Sequence, residues 1–183
     1  MSSPSLWATM PTRGRNYVRD TAALGLLTAL LLGSKMAMAW LPNIEPVSLL
    51  IIVYVAVLGL RALLPIYAYV LLEYALWGFG LWSACYLYVW LVLALAAYAL
   101  RRMESPLGWA VLSGAFGLCF GGLCALTYLA VGGWALALSW WVQGIPFDAL
   151  HCAGNFAMAL VLFRPCKRAL ARLWTGRSPE IRG

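Results

Sequence analysis

The sequence predicts an all-α, polytopic membrane protein with six transmembrane helices and both termini in the cytoplasm. Three observations lead to this prediction. Of the 183 residues, 64% are apolar and only 10% are charged, whereas a soluble domain carries about a quarter charged residues. Apolar runs near the length of about 20 residues that crosses the hydrocarbon core recur between residues 22 and 163. The basic residues, with the exception of Lys35, can all be placed on one side of such a bundle.

Prolines, glycines and charges divide the apolar region into its elements. The predicted helices lie near residues 20–41, 47–60, 62–78, 81–100, 107–131 and 147–173. The second is short for a full crossing, and the piece 134–143 is too short to cross, so we expect it to be an interfacial or re-entrant segment at the outer rim. Residues 1–19 and 174–183 are the predicted cytoplasmic tails on either side of a membrane domain covering 20–173.

The distribution of charge gives the orientation and the localisation. Cytoplasmic loops retain Lys and Arg, so the net charge of +7 describes an inner surface that faces the membrane, and nucleic acid is not needed to explain it. One alternative concerns the start of the chain, where a basic stretch, an apolar run and Ala37-Met38-Ala39 resemble a cleaved signal peptide. Cleavage would leave five crossings and one basic terminus outside, which disfavours that interpretation.

The first helix carries a stripe of small residues. Gly25, Ala29 and Gly33 recur every four residues, which lets another helix approach closely in lipid, where van der Waals contact supplies most of the association energy. The partner could be a separate protein or another helix of this chain, and spacing alone leaves both open. A similar run in the fifth helix, with Gly117 and Gly121, favours packing inside the chain.

The third and fourth helices combine a carboxylate with aromatic rings. Glu73 precedes Trp77 by one turn, and Trp82, Tyr86 and Trp90 follow one another at four-residue spacing. The two outermost tryptophans could instead belong to an interfacial belt, but Trp90 lies too deep for that role. Stacking rings with a few hydrogen-bonding groups indicate a pocket, open to the outside, for a flat polar ring compound.

The sixth helix adds polar side chains to the same outer end. Asp148, His151 and Asn155 fall at i, i+3 and i+7, on one face of a helix. Buried polar groups in a membrane usually face a partner, a cavity or a ligand. The structural alternatives are a helix-dipole role for Asp148 and interhelical hydrogen bonds for the other two. Lys35 completes the candidate substrate-binding set, and two alternatives are open for its side chain: it snorkels to the interface or it pairs with an acid from another helix.

The cysteine and histidine content of the sequence and its lack of a nucleotide-binding motif argue against several kinds of functional site. The five cysteines have no metal-ligand spacing and are predicted to be reduced core residues; they are Cys85, Cys119, Cys124, Cys152 and Cys166. With a single histidine, a metal site is not expected, and we expect no cofactor. There is no G-x-x-x-x-G-K-[ST] motif, so energy from ATP would have to come from a partner. An intramembrane serine hydrolase would need Ser113 and His151, but Val111 replaces the first glycine of its G-x-S-G motif.

Taken together, these motifs resemble the substrate-binding S components of energy-coupling factor (ECF) transporters. The resemblance covers about residues 20–173 and depends on the small stripe of the first helix, on the segment 41–47 (LPNIEPV), and on the segment 144–148 (GIPFD) with His151 and Asn155. It implies uptake of a vitamin-like micronutrient across a prokaryotic cell membrane. It also implies no enzymatic activity in this chain and docking, through Gly25, Ala29 and Gly33, on a T component that carries two ATPase subunits. A ligand-free assembly protein is the alternative from another class.

Overall fold

The computed structural model describes residues 12–41 and 44–175, and every regular element in those ranges is helical. The helices are α1 (Thr12–Ala37), α2 (Val47–Leu58), α3 (Leu63–Trp77), α4 (Leu81–Ala84), α5 (Tyr86–Ala99) and α6 (Pro106–Thr175), and a short 3-10 helix (Gly59–Ala62) joins α2 to α3. The predicted all-α class is confirmed for these residues.

Three helical stretches are long and apolar enough to cross a membrane. They are Val47–Trp77, Leu81–Ala99 and Pro106–Trp174. The chain is therefore compatible with a membrane protein, as its composition predicts. The first predicted span, which corresponds to α1, is not among these three.

Helix α6 is a hairpin of two long helical limbs. The backbone leaves helical geometry at Gly133, where φ is 72° and ψ is −172°, a conformation that glycine adopts readily because it has no Cβ. The limbs, 106–132 and 134–175, then run antiparallel, since Tyr128 stacks on Trp140 with ring centroids 4.1 Å apart and a Cβ on Gly117 would lie 2.8 Å from the carbonyl carbon of His151. The predicted packing of the small residues of this helix inside the chain is confirmed.

The prediction that 134–143 is a separate interfacial segment is wrong. These residues are helical and continuous with the last predicted helix, and Pro146 lies inside that helix. Proline removes one helical hydrogen bond and usually kinks or breaks a helix. Here the neighbouring limb packs along the second limb on both sides of the proline, so the helix continues.

The α4–α5 region contains a second correction. The predicted helix over 81–100 is interrupted at Cys85, whose sulfur pairs with that of Cys124 in a disulfide across a Cα–Cα distance of 5.0 Å. The prediction that all five cysteines are reduced is therefore wrong for these two. Thirty-nine residues separate them in the sequence, and only the antiparallel packing of α5 on the first limb of α6 brings them together.

The apolar core is built around α2. Ten of its 12 residues are buried, because α1, α5 and α6 surround it, and a helix that is apolar on every face belongs in such a position. Tyr54 Oη donates to Leu27 O at 3.0 Å, which fixes α2 against α1.

The packing gives the bundle two different ends. Thr28 Oγ1 donates to Pro65 O at 3.3 Å and Lys35 meets Glu73, so α1 and α3 run in the same direction. We call the end that holds Lys35 and Glu73 the site end. The opposite end, where Arg101 donates to Tyr98 O at 2.9 Å, is called the basic end.

Candidate functional site

An ion pair between α1 and α3 forms one side of the site. Lys35 Nζ lies 2.6 Å from Glu73 Oε2 and 3.1 Å from Tyr86 Oη. The ammonium also lies 5.8 Å from the ring centroid of Trp77, 5.7 Å from that of Trp82 and 5.0 Å from that of Tyr86, within the range of a cation–π interaction. The structure thus brings together four of the predicted substrate-binding residues, Lys35, Glu73, Trp77 and Tyr86. Lys35 pairs with an acid from another helix, which was one of its two alternatives.

Aromatic rings connect this ion pair to the second limb of α6. Trp90 is fully buried, and its ring centroid lies 5.3 Å from that of Tyr86, 5.9 Å from Phe116 and 5.7 Å from Phe120. Phe120 in turn lies 5.0 Å from the ring of His151. Sequence reasoning missed Phe116 and Phe120, although their four-residue spacing beside the glycine stripe was a usable signal.

Asp148 is held by the backbone of the other limb. Its Oδ1 accepts a hydrogen bond from Gly121 N at 2.9 Å, and Asp148 as a whole is 4% exposed. A Cβ on Gly121 would overlap the carboxylate, so only glycine permits this approach. Because the helix begins at residue 134, Asp148 is not in its first turn, and the helix-dipole explanation of this residue is wrong. Its Oδ2 has no hydrogen-bond partner among the described residues.

His151 and Asn155 differ in what they contact. Asn155 Nδ2 donates to Ser48 Oγ at 3.1 Å and to Ser113 O at 3.3 Å, so it bridges α2 and both limbs of α6. This is the structural hydrogen bond that the sequence left as an alternative. Both ring nitrogens of His151 are buried without a partner among the described residues.

Glu45 lies in the loop before α2 and faces the same ion pair. Burial raises the pKa of its carboxyl above the ordinary value, the Lys35 ammonium opposes that shift, and the Glu73 carboxylate adds to it. Its place just before Pro46 would suit a residue that caps α2, but the start of α2 has no side-chain cap hydrogen bond at Pro46. Glu45 is therefore a third acid at the site end.

The site contains an unusual number of buried polar atoms without partners. Among the described residues they are Trp90 Nε1, Ser113 Oγ, Asp148 Oδ2, both nitrogens of His151 and Asn155 Oδ1. Native proteins leave few such groups unsatisfied, and each one requires an explanation. Donors and acceptors are both present, so the set could bind a ligand that has both.

A cavity of about 310 Å³ opens beside these groups. Its lining comprises Trp82, Phe120, Gly121, Cys124, Trp140, Gln143, Gly144, Phe147 and Asp148. Asp148 reaches it directly, whereas Trp90 and His151 lie behind the ring of Phe120. The arrangement can stack a flat ring and hydrogen-bond its polar substituents.

Ser113 and His151 are not hydrogen-bonded to each other, since Ser113 Oγ and both His151 nitrogens have no partner among the residues that the structure describes. Within 12–41 and 44–175, no group of three His, Cys, Asp or Glu side chains is arranged to hold a metal.

The small-residue stripe lies outside the site. Gly25, Ala29 and Gly33 are exposed on α1, and nothing lies within 4 Å of a Cβ built on either glycine. The stripe is therefore not packed against any other helix in the described part of the chain.

Comparison with known proteins adds no assignment. No protein-family model matches the chain, and no match was found among curated proteins or among solved structures.

Proposed function

We propose that this chain is the substrate-binding S component of an ECF-type transporter, and that the cavity at the site end binds a vitamin-like ring compound. The observation that carries the proposal is the ring-lined cavity of about 310 Å³ with partnerless buried polar atoms on and behind its wall. Ligand pockets of small molecules combine mainly apolar, aromatic walls with a few polar groups in this way.

The proposed topology has six crossings with the site end outside and both termini in the cytoplasm of a prokaryotic cell. Three features support it. First, successive helical segments alternate in direction along the chain, in the order α1, α2, α3, α4–α5 and the two limbs of α6. Second, Arg61 and Arg101 lie in the turns of the basic end. Third, the Cys85–Cys124 disulfide lies at the site end. Disulfides persist on the oxidising side of a membrane.

The proposed partner is a T component with two ATPase subunits, and it binds the exposed stripe on α1. Small residues allow close backbone approach between membrane helices, and no described residue lies within 4 Å of a Cβ built on Gly25 or Gly33. Transport energy would come from ATP hydrolysis in those subunits.

The experiment that tests the proposal is native mass spectrometry of protein purified without added ligand. We expect a bound small molecule on the wild type that is absent from Gly144→Trp, because Gly144 lines the cavity and a Cβ there meets no other atom within 4 Å, so the indole can fill the space. Ala157→Trp, at an exposed alanine of the same limb, is the matched control and should retain the molecule.

An adduct that survives in Gly144→Trp would place the ligand elsewhere. Wild-type protein that carries no adduct and recovers no T component from native membranes would instead favour the ligand-free assembly protein.

A further inference from the structure

We propose that the ligand of this site is an organic cation, a flat ring compound whose positively charged nitrogen donates to Asp148. The inference rests on the proposed function, because it names the class of compound that occupies the same cavity. It is argued from the Asp148 carboxylate, from the charges at the site end and from the walls of the cavity.

The Asp148 carboxylate is fixed but only half satisfied. Gly121 N–H holds Oδ1 at 2.9 Å, which sets the orientation of the group, while Oδ2 is buried with no partner among the described residues. A carboxylate oxygen only accepts hydrogen bonds, and an ionised group removed from water is stabilised best by a paired charge. Since Asp148 lines the cavity, a ligand can supply the missing donor.

Within residues 12–41 and 44–175, no basic side chain forms an ion pair with Asp148. Lys35, the basic residue of the site end, donates to Glu73 and to Tyr86, and Glu45 lies close enough to interact with the same ammonium. Because Glu73 takes up the charge of Lys35, Asp148 is left without a counter-charge among the described residues, although the whole chain carries a net charge of +7. A cationic ligand would balance the Asp148 carboxylate, whereas an anionic one would be repelled by it.

The walls of the cavity suit a cation that is attached to a ring. Trp82, Phe120, Trp140 and Phe147 contribute four aromatic side chains to the lining, and the faces of such rings attract cations as well as stack on other rings. A volume of about 310 Å³ lies at the lower end of the range for small-molecule pockets, about 300–1,000 Å³. One or two rings therefore fill it.

The test compares two probes of nearly the same shape, benzamidine, which is a cation at neutral pH, and benzamide, which is neutral. Binding is followed by the tryptophan fluorescence of the purified full-length protein in detergent. We expect the wild type to bind benzamidine about tenfold more tightly, because a hydrogen bond to a charged partner is the stronger kind.

The variant that isolates the carboxylate is Asp148→Asn. Asparagine keeps an oxygen for Gly121 N–H but replaces the acceptor Oδ2 with a donor, so the fold is retained and we expect the preference for benzamidine to disappear. Glu104→Gln removes the same charge from an exposed position near the basic end and should retain the preference.

The outcomes separate the two proposals. Equal binding of both probes to the wild type, or an unchanged preference in Asp148→Asn, would overturn the cation assignment while leaving a ring pocket in place. If neither probe binds the wild type, both the cation assignment and the ring pocket of the proposed function fail.

Discussion

At the scale of single residues, the polar side chains of the site differ in how many of their donor and acceptor atoms have a hydrogen-bond partner. Lys35 and Asn155 donate to groups of the chain, and of their atoms only Asn155 Oδ1 is buried without a partner among the described residues. Asp148 Oδ2 and both ring nitrogens of His151 also lack a partner there. Lys35 and Asn155 therefore hold helices together, and Asp148 and His151 are the better candidates for contact with a ligand.

The first prediction concerns the ion pair between α1 and α3. Glu73→Gln should destabilise the protein by about 1–3 kcal/mol, less than for a fully buried pair because the Lys35 side chain is 19% exposed. Adding Lys35→Met should recover part of that loss, since no unpaired charge then remains. Thermal unfolding of both single variants and the double variant in detergent measures the coupling; strictly additive effects would mean that the pair contributes nothing.

Periodicity could predict which residues share a helix face, and several of the residues that it selected lie together in the structure. Glu73, Trp77, Tyr86 and Trp90 follow four-residue spacings and meet in the structure. Contacts between helices have no such local signal. Ser48 as the partner of Asn155, and Cys124 as the partner of Cys85, depend on packing that the spacing of neither residue contains.

At the scale of elements, the hairpin of α6 determines the position of Asp148 and His151. Its limbs approach so closely because glycines face the site residues, with Gly117 against the backbone of His151 and Gly121 against Asp148. Sequence analysis predicted this internal packing. It placed a break at Pro146 that the structure does not have. The effect of a proline on its own helix can be predicted from the sequence, but the packing of a neighbouring limb against that helix cannot.

The second prediction follows from that close approach. A Cβ on Gly117 would lie 2.8 Å from the backbone of His151, and a backbone cannot move aside cheaply, so Gly117→Ala should destabilise by about 1–3 kcal/mol. Gly25→Ala is the matched control, because its Cβ meets nothing within 4 Å and alanine stabilises a helix interior by up to about 1 kcal/mol. Melting temperatures that fall equally for both would show that the limbs are not tightly packed.

The third prediction concerns the exposed face of α1. Ala29→Trp should abolish recovery of a T component from native membranes while leaving ligand binding intact, because a bulky ring prevents close helix approach. Ala157→Trp adds the same ring at an exposed position of α6 and should not affect recovery. Equal recovery of the partner by wild type and Ala29→Trp would exclude the stripe as the docking face.

At the scale of the whole molecule, composition alone predicted an all-α protein compatible with a membrane. The number of crossings is harder to predict, because α2 has 12 residues and is too short to match a standard span of about 20. Its burial among α1, α5 and α6 explains how so short a helix can belong to the core, and the sequence contains no measure of that shielding.

The fourth prediction is the membrane topology. Reporter fusions after Arg101 and at the C-terminus should give a cytoplasmic signal, and a fusion at Gly133 should give an external one, because basic loops remain inside. A cytoplasmic signal at Gly133 would contradict the six-span arrangement.

The position of Lys35 on α1 has one more consequence. Gly33, in the exposed stripe, and Lys35, in the ion pair with Glu73, are two residues apart on one helix. A partner that tilts or rotates α1 on docking would therefore also displace the ammonium inside the site. If that displacement changes the affinity for the proposed ligand, thermodynamic linkage requires the ligand and the docking partner to change each other's affinity by the same factor. Helix α1 alone would then couple ligand binding to partner docking.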